Sequence, residues 1–192
     1  MQAEGRSLAR DVLRDLAAVQ NGLITRQQAL EDLGLSAGAI DNLVSRGSLV
    51  RVAHGIYRYP HLPGIAHEPF QVALLRTGDP EAALSHETAL LVLEISDVNP
   101  ARYHVTIPRP RRIRREDNDR FVVHVQRLGP RQVRWWEEMR VVTAATAIEQ
   151  CITLGTPTYL LRQAMERGQR TGLVRTADAD RLGAILEARH DH

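Results

Sequence analysis

One cysteine, Cys151, and not a single lysine stand among the 192 residues. A lone thiol leaves no intrachain disulfide and no cysteine-rich zinc site. The missing lysine excludes more, because all 25 basic residues are arginine. There can be no Walker A lysine on a nucleotide phosphate, no strand lysine of the standard kinase kind, no Schiff base and no Asp/Glu-x-Lys nuclease motif. Aromatic residues make up 4% of the chain, and its tryptophans, Trp135 and Trp136, are adjacent. No apolar run reaches the ~18 residues of a membrane span. The N-terminal segment Met1 to Asp15 carries charges throughout and lacks the apolar core of a signal peptide, so a soluble cytoplasmic protein is expected.

What is present is distributed unevenly. The formal net charge of +2 hides nine Arg against three acids in residues 103–134, a net +6 by that count. Residues 1–62 hold seven Arg against six acids, residues 63–101 hold Arg76 against six acids, and residues 135–192 are slightly acidic. The basic patch therefore lies in the second half. A hydrophobic content of 43% is enough for one large core or two small ones.

The most regular stretch runs from Gly22 to Pro60. Thr25 and Gln28 have the spacing of a capping box, and Ala29, Leu30 and Leu33 follow at helical spacing before Gly34. Ser36 is the next N-cap, for a helix with Ile40, Leu43 and Val44 on one face, closed by Gly47. Leu49–Val52 and Ile56–Tyr59 then alternate around Ala53-His54-Gly55, which is a hairpin pattern. Helix, turn, helix and wing predict a winged helix-turn-helix. Ser7 to Gln20, with Leu8, Val12, Leu13, Leu16 and Val19 on one face, supplies the helix before it.

Pro60, Pro63 and Gly64 suggest a linker at 60–66, hence domains at 1–62 and 66–192. Helices are expected from Pro69, after the N-cap Ser85, from Thr143 to about Leu154, over Thr158–Arg167 closed by Gly168, and over Ala177–Ala188. Tyr103–Ile107 and Phe121–Gln126 alternate as strands, with Val105, Ile107, Val123 and Val125 inward. Val133–Trp136 and Met139–Val142 are a further strand pair. The fold class is α+β, the second domain a mixed α/β unit with a small antiparallel sheet.

The segments Gly22-Leu-Ile-Thr-Arg-Gln-Gln-Ala, Gly34-Leu-Ser, Gly47-Ser-Leu-Val-Arg-Val and His54-Gly-Ile-Tyr-Arg resemble the N-terminal domain of AbiEi-type antitoxins. Leu84-Ser-His-Glu-Thr-Ala-Leu, Tyr103-His-Val-Thr-Ile-Pro and Val142-Thr143 fall where that family carries similar stretches. The resemblance spans roughly residues 20–155. It implies an antitoxin to a nucleotidyltransferase-like toxin that represses its own operon through the winged domain. Where relatives tend to show an Arg and an Asp after the Val-Thr, this chain has Thr146 and Gln150. The alternatives are a transcriptional regulator without a toxin partner, or an atypical kinase acting on the toxin.

DNA contacts are expected from Arg26, Gln27, Ser36, Asn42, Ser45, Arg46, Arg51, His54 and Arg58. The expected operator is an inverted repeat bound by a homodimer. Arg109, Arg111, Arg112, Arg114 and Arg115 are the candidates for gripping an acidic toxin surface, with Trp136 as an interface anchor. No catalytic centre and no cofactor are expected. His104 and His124 invite a metal reading, but two histidines without a third ligand make a poor site, so no metal is expected. Ser85 beside His86 reads as an N-cap, not a nucleophile.

Overall fold

A computed structural model describes residues 2–60, 62, 66–111 and 120–189, with side chains from residue 11 onward. The chain forms two compact units, Met1–Gly78 and Asp79–His192.

The first unit runs α1 (Gln2–Val19), β1 (Leu23–Thr25), α2 (Arg26–Glu31), α3 (Ala37–Ser45), β2 (Val50–Ala53), β3 (Ile56–Arg58) and α4 (Glu68–Arg76). The capping box forms as its spacing predicts. Gln28 N donates to Thr25 Oγ1 at 3.1 Å, and Thr25 N donates to Gln28 Oε1 at 2.9 Å. Ser36 caps α3 by accepting from Ala39 N at 3.2 Å. Gly34 and Gly47 take φ of +61° and +69°, left-handed values that let the chain turn between the elements.

Strands β2 and β3 make the wing, with an irregularity between Arg51 and Ala53. One strand is new. β1 pairs antiparallel with β3, Ile24 opposite Tyr57, giving a three-stranded sheet of order β1-β3-β2. Leu13, Ala17, Ile24, Ala29, Ile40, Leu49, Tyr57 and Tyr59 form the core. The buried edge of α1 is thus Leu13 and Ala17, one turn apart, while Val12 and Val19, expected inward, are exposed.

The unit boundary falls at Gly78, beyond the linker expected at 60–66. Helix α4 contacts β1 and β3. Arg58 donates to both carboxylate oxygens of Glu68 at 2.6 and 2.7 Å, and Asn21 Nδ2 donates to Gln71 Oε1 at 3.4 Å. Those bonds join the helix to the winged unit.

The second unit contains β4 (Ala83–Leu84), α5 (His86–Val92), β5 (Tyr103–Ile107), β6 (Phe121–Val125), a 3-10 turn (Pro130–Gln132), β7 (Val133–Trp136), β8 (Met139–Val142), α6 (Ala144–Leu154), α7 (Thr158–Arg170) and α8 (Thr176–Ala188). Its sheet has five strands in the order β6-β5-β4-β8-β7. It is mixed, not antiparallel. β5 pairs parallel with β6 and β4 parallel with β8, while β4–β5 and β7–β8 are antiparallel. Because β5 lies inside the sheet under α5, His104 and Thr106 are buried along with Val105 and Ile107. Val125, expected inward, is exposed near the end of edge strand β6.

Helix α7 does not end at Gly168 but runs on to Arg170. Gly168 is a packing position, because a Cβ there would stand 2.5 Å from Val174 Cγ2. Cys151 is buried in α6, and burial pushes its thiol up to about 12. Among the described residues no helix is long and apolar enough to cross a membrane.

Candidate nucleic-acid interface

The outward side of α3 is short and polar. Asp41, Asn42, Ser45 and Arg46 are exposed there, opposite the buried Ile40. Asn42 carries the amide suited to an adenine edge. Ser45 Oγ donates to Asn42 O at 3.0 Å, which ties that hydroxyl to its own helix. Arg46, the C-cap residue, is exposed and carries its charge away from the core.

The wing tip adds a second cationic point. Arg51 and His54 are both exposed, and Arg51 Nη2 lies 3.2 Å from His54 Nδ1. Gly55 makes the reversal at φ +67°, and its carbonyl accepts from Arg26 N at 2.7 Å, fixing the wing to the start of α2.

Other residues expected at DNA turn their polar groups toward the protein. Arg26 Nη1 donates to Asp41 Oδ1 at 3.2 Å and to Tyr57 Oη at 3.3 Å, joining α2, α3 and β3. Hydrogen bonds to Tyr57 and then Asp41 raise the pKa of that guanidinium further. Gln27 donates to Glu31 along α2 at 2.9 Å. Ser36 uses its hydroxyl as the α3 cap. Arg58 makes a bidentate bond to Glu68, so a carboxylate already pairs its charge. Arg46, Arg51, His54 and Asn42 remain as the outward set.

In the second unit Arg109 and Arg111 are exposed, and Arg111 stands 3.9 Å from Asp79. Arg112, Arg114 and Arg115 lie outside the described residues. The tryptophan assignment is reversed. Trp135 is the exposed ring, at 67%, whereas Trp136 is half-buried opposite Met139. Alternation places the pair on opposite faces but does not say which face is outside. The hairpin after them turns through Glu137 and Glu138, both at positive φ (44° and 60°).

The unit also gathers a buried polar group that the sequence did not show. His86, at the start of α5, joins His104 of β5 and His124 of β6. The spacing of two strand histidines was legible, but the third comes from another element. Burial, then the neighbouring histidines, lowers His86 to about 3, and burial and then His104 lower His124 to about 4. Burial and then Arg102 lower His104 as well. Gln150, on α6, accepts from His86 N at 3.2 Å and donates to Gln126 at 2.7 Å.

A search of curated proteins finds no significant match. Among solved structures, the RV2827C protein from Mycobacterium tuberculosis aligns over 93% of this chain and 75% of its own, with a TM-score of 0.52 and 19% identity. That likeness concerns the fold. Residues 11–60, from within α1 through the wing, are similar to the family model described as "Transcriptional regulator, AbiEi antitoxin".

Proposed function

We propose that this chain is an antitoxin that binds operator DNA through its winged domain and neutralises a nucleotidyltransferase-like toxin through residues 79–192. The observation that carries the DNA half is the outward set on α3 and the wing tip, Asn42, Arg46, Arg51 and His54, within the stretch matching the regulator family. The exposed acid Asp41 is held by Arg26, which keeps a carboxylate from facing phosphates unneutralised. Neutralisation of the toxin by binding, without catalysis, is the simpler mechanism for a chain that has no lysine. Arginines offer planar bidentate contacts to carboxylates, and Trp135 offers apolar area for the same partner. Operator binding by a pair of chains on an inverted repeat completes the reading.

Anisotropy of labelled promoter DNA across a salt series tests the DNA half. Affinity should fall as salt rises, because neutralised phosphates release counterions. Arg46→Ala and Arg51→Ala should each reduce the slope by about one unit, and Arg58→Ala should leave it unchanged. Absence of binding to the promoter at low salt contradicts the proposal.

A further inference from the structure

Three imidazoles from separate parts of the second unit meet at one point. His86 begins α5, His104 is in β5, and His124 is in β6 directly across from Thr106. One ring nitrogen from each lies within 4.8 Å of the other two. His104 Nδ1 and His124 Nε2 are 2.9 Å apart, and the His86 and His124 rings stack with centroids 3.6 Å apart. We infer that His86, His104 and His124 form a binding site for one divalent transition-metal ion, zinc in the first instance, with a fourth position left to solvent.

The surroundings favour an ion over a simple stack of rings. All three groups are imidazoles, which bind a transition metal through a neutral ring nitrogen. His86 holds φ at +50°, a backbone conformation that a non-glycine residue keeps only where its surroundings impose it. Gln150 helps impose it by accepting from His86 N at 3.2 Å. Ser85 Oγ lies 3.0 Å from His86 Nδ1, so a proton on that nitrogen leaves Nε2 as the ligand. Such outer partners orient metal-bound histidines. Thr88 Oγ1 accepts from His104 N at 2.8 Å and steadies the second ligand.

Thr106 supplies a further observation. It shares a strand face with His104, is wholly buried, and its Oγ1 has no hydrogen-bond partner among the described residues. A water on the ion would give that hydroxyl its missing bond. An all-imidazole donor set suits zinc, cobalt, nickel or copper, and does not suit magnesium or calcium. Around zinc, nitrogens at about 2.0–2.1 Å from the metal stand about 3.3 Å from one another. The 2.9 Å pair needs to part by a few tenths of an ångström, and His86 must turn off its stack on His124.

The test uses the full chain with any affinity tag removed, stripped with a chelator and dialysed. Zinc is titrated by calorimetry and cobalt by visible absorption. Wild-type protein should bind one ion per chain and give the ligand-field bands of a low-symmetry cobalt site, and magnesium should not compete. His124→Ala, at the least buried ligand, should lower affinity by more than about 100-fold, and Ser85→Ala by about 10-fold, in the range of outer-partner losses. His54→Ala, at the wing, should change neither. Circular dichroism of each variant checks that it is folded, and the wild-type titration decides the matter even where a variant is not. Absence of saturable cobalt bands in wild-type protein overturns the site, as does a folded His124→Ala variant that binds like wild type.

Discussion

A guanidinium can neutralise a phosphate only where a carboxylate does not already hold it, and the arginines of the winged unit divide on that point. Arg58 is clasped by Glu68, and Arg26 is shared between Asp41 and Tyr57, whereas Arg46 and Arg51 face outward. Sequence spacing placed all four near the α3 face; it could not reveal that Glu68 of α4, and Asp41 of α3 with Tyr57 of β3, had claimed two of them. The histidines show the same limit. Alternation paired His104 with His124, but His86 arrives from a left-handed corner of the chain that no periodicity marks. Their titration has a definite sign. His86 and His124 fall to about 3 and about 4, below the ordinary 6.5, so the unfolded chain takes up protons that the folded chain refuses. In chelator, stability should be fully present above pH ~6.5 and should decline as pH falls toward about 4. Urea midpoints measured across that window check the sign. A flat profile would show that these rings are not buried as described.

At the scale of elements, caps, turns and the two hairpins β2–β3 and β7–β8 were legible, whereas the pairing of β1 with β3 and the parallel sense of β5 with β6 were not. The Thr25–Gln28 box, the Ser36 cap and the turn at Gly47 each depend on residues within a few positions, and all three appear where expected. β1 went unread because three residues ending in an N-cap are too few to display alternation. The parallel pairing of β5 with β6 depends on a connection and not on the strands themselves, so their sequences could not disclose it. Gly168 looked like a helix stop because glycine commonly sits there; its actual reason is the side chain of Val174. Gly168→Ala should therefore destabilise the protein by about 1–3 kcal/mol through overpacking, despite the better helix propensity of alanine. Urea unfolding of this variant, alone and with Val174→Ala, should show the second change recovering part of the loss. A neutral or stabilising Gly168→Ala would place the cause elsewhere.

The whole molecule is best cut at Gly78, since α4 is bonded to the winged unit through Glu68 and Gln71. A fragment of residues 1–78 should fold and bind promoter DNA like the intact chain, whereas residues 1–62 should melt at a lower temperature and bind more weakly. Thermal melts and anisotropy of the two fragments decide. Equal behaviour would mean that α4 contributes nothing to the winged unit. For the second unit, residues 79–192 alone should restore growth in cells expressing the toxin. Reversal of charge at Arg111, Arg112, Arg114 and Arg115 should slow association, most strongly at low salt. Rescue by residues 1–78 alone, or rescue that leaves a covalent mark on the toxin, would contradict neutralisation by binding.

Parallel pairing sets an arithmetic of its own. Phe121 stands beside Tyr103 and Val125 beside Ile107, so the chain must travel back the full length of β5 before β6 can begin. Four steps at about 3.3 Å make that return about 13 Å, and parallel neighbours need a connection of about a dozen residues. Residues 108–120, where the arginines crowd, provide it. Span and charge in this segment thus answer to different masters. The parallel pairing asks for a connection of crossover length, and under the proposed function the charge of the same segment serves the partner. Homologous chains should differ freely here in the number of arginines and accept insertions, yet seldom carry deletions.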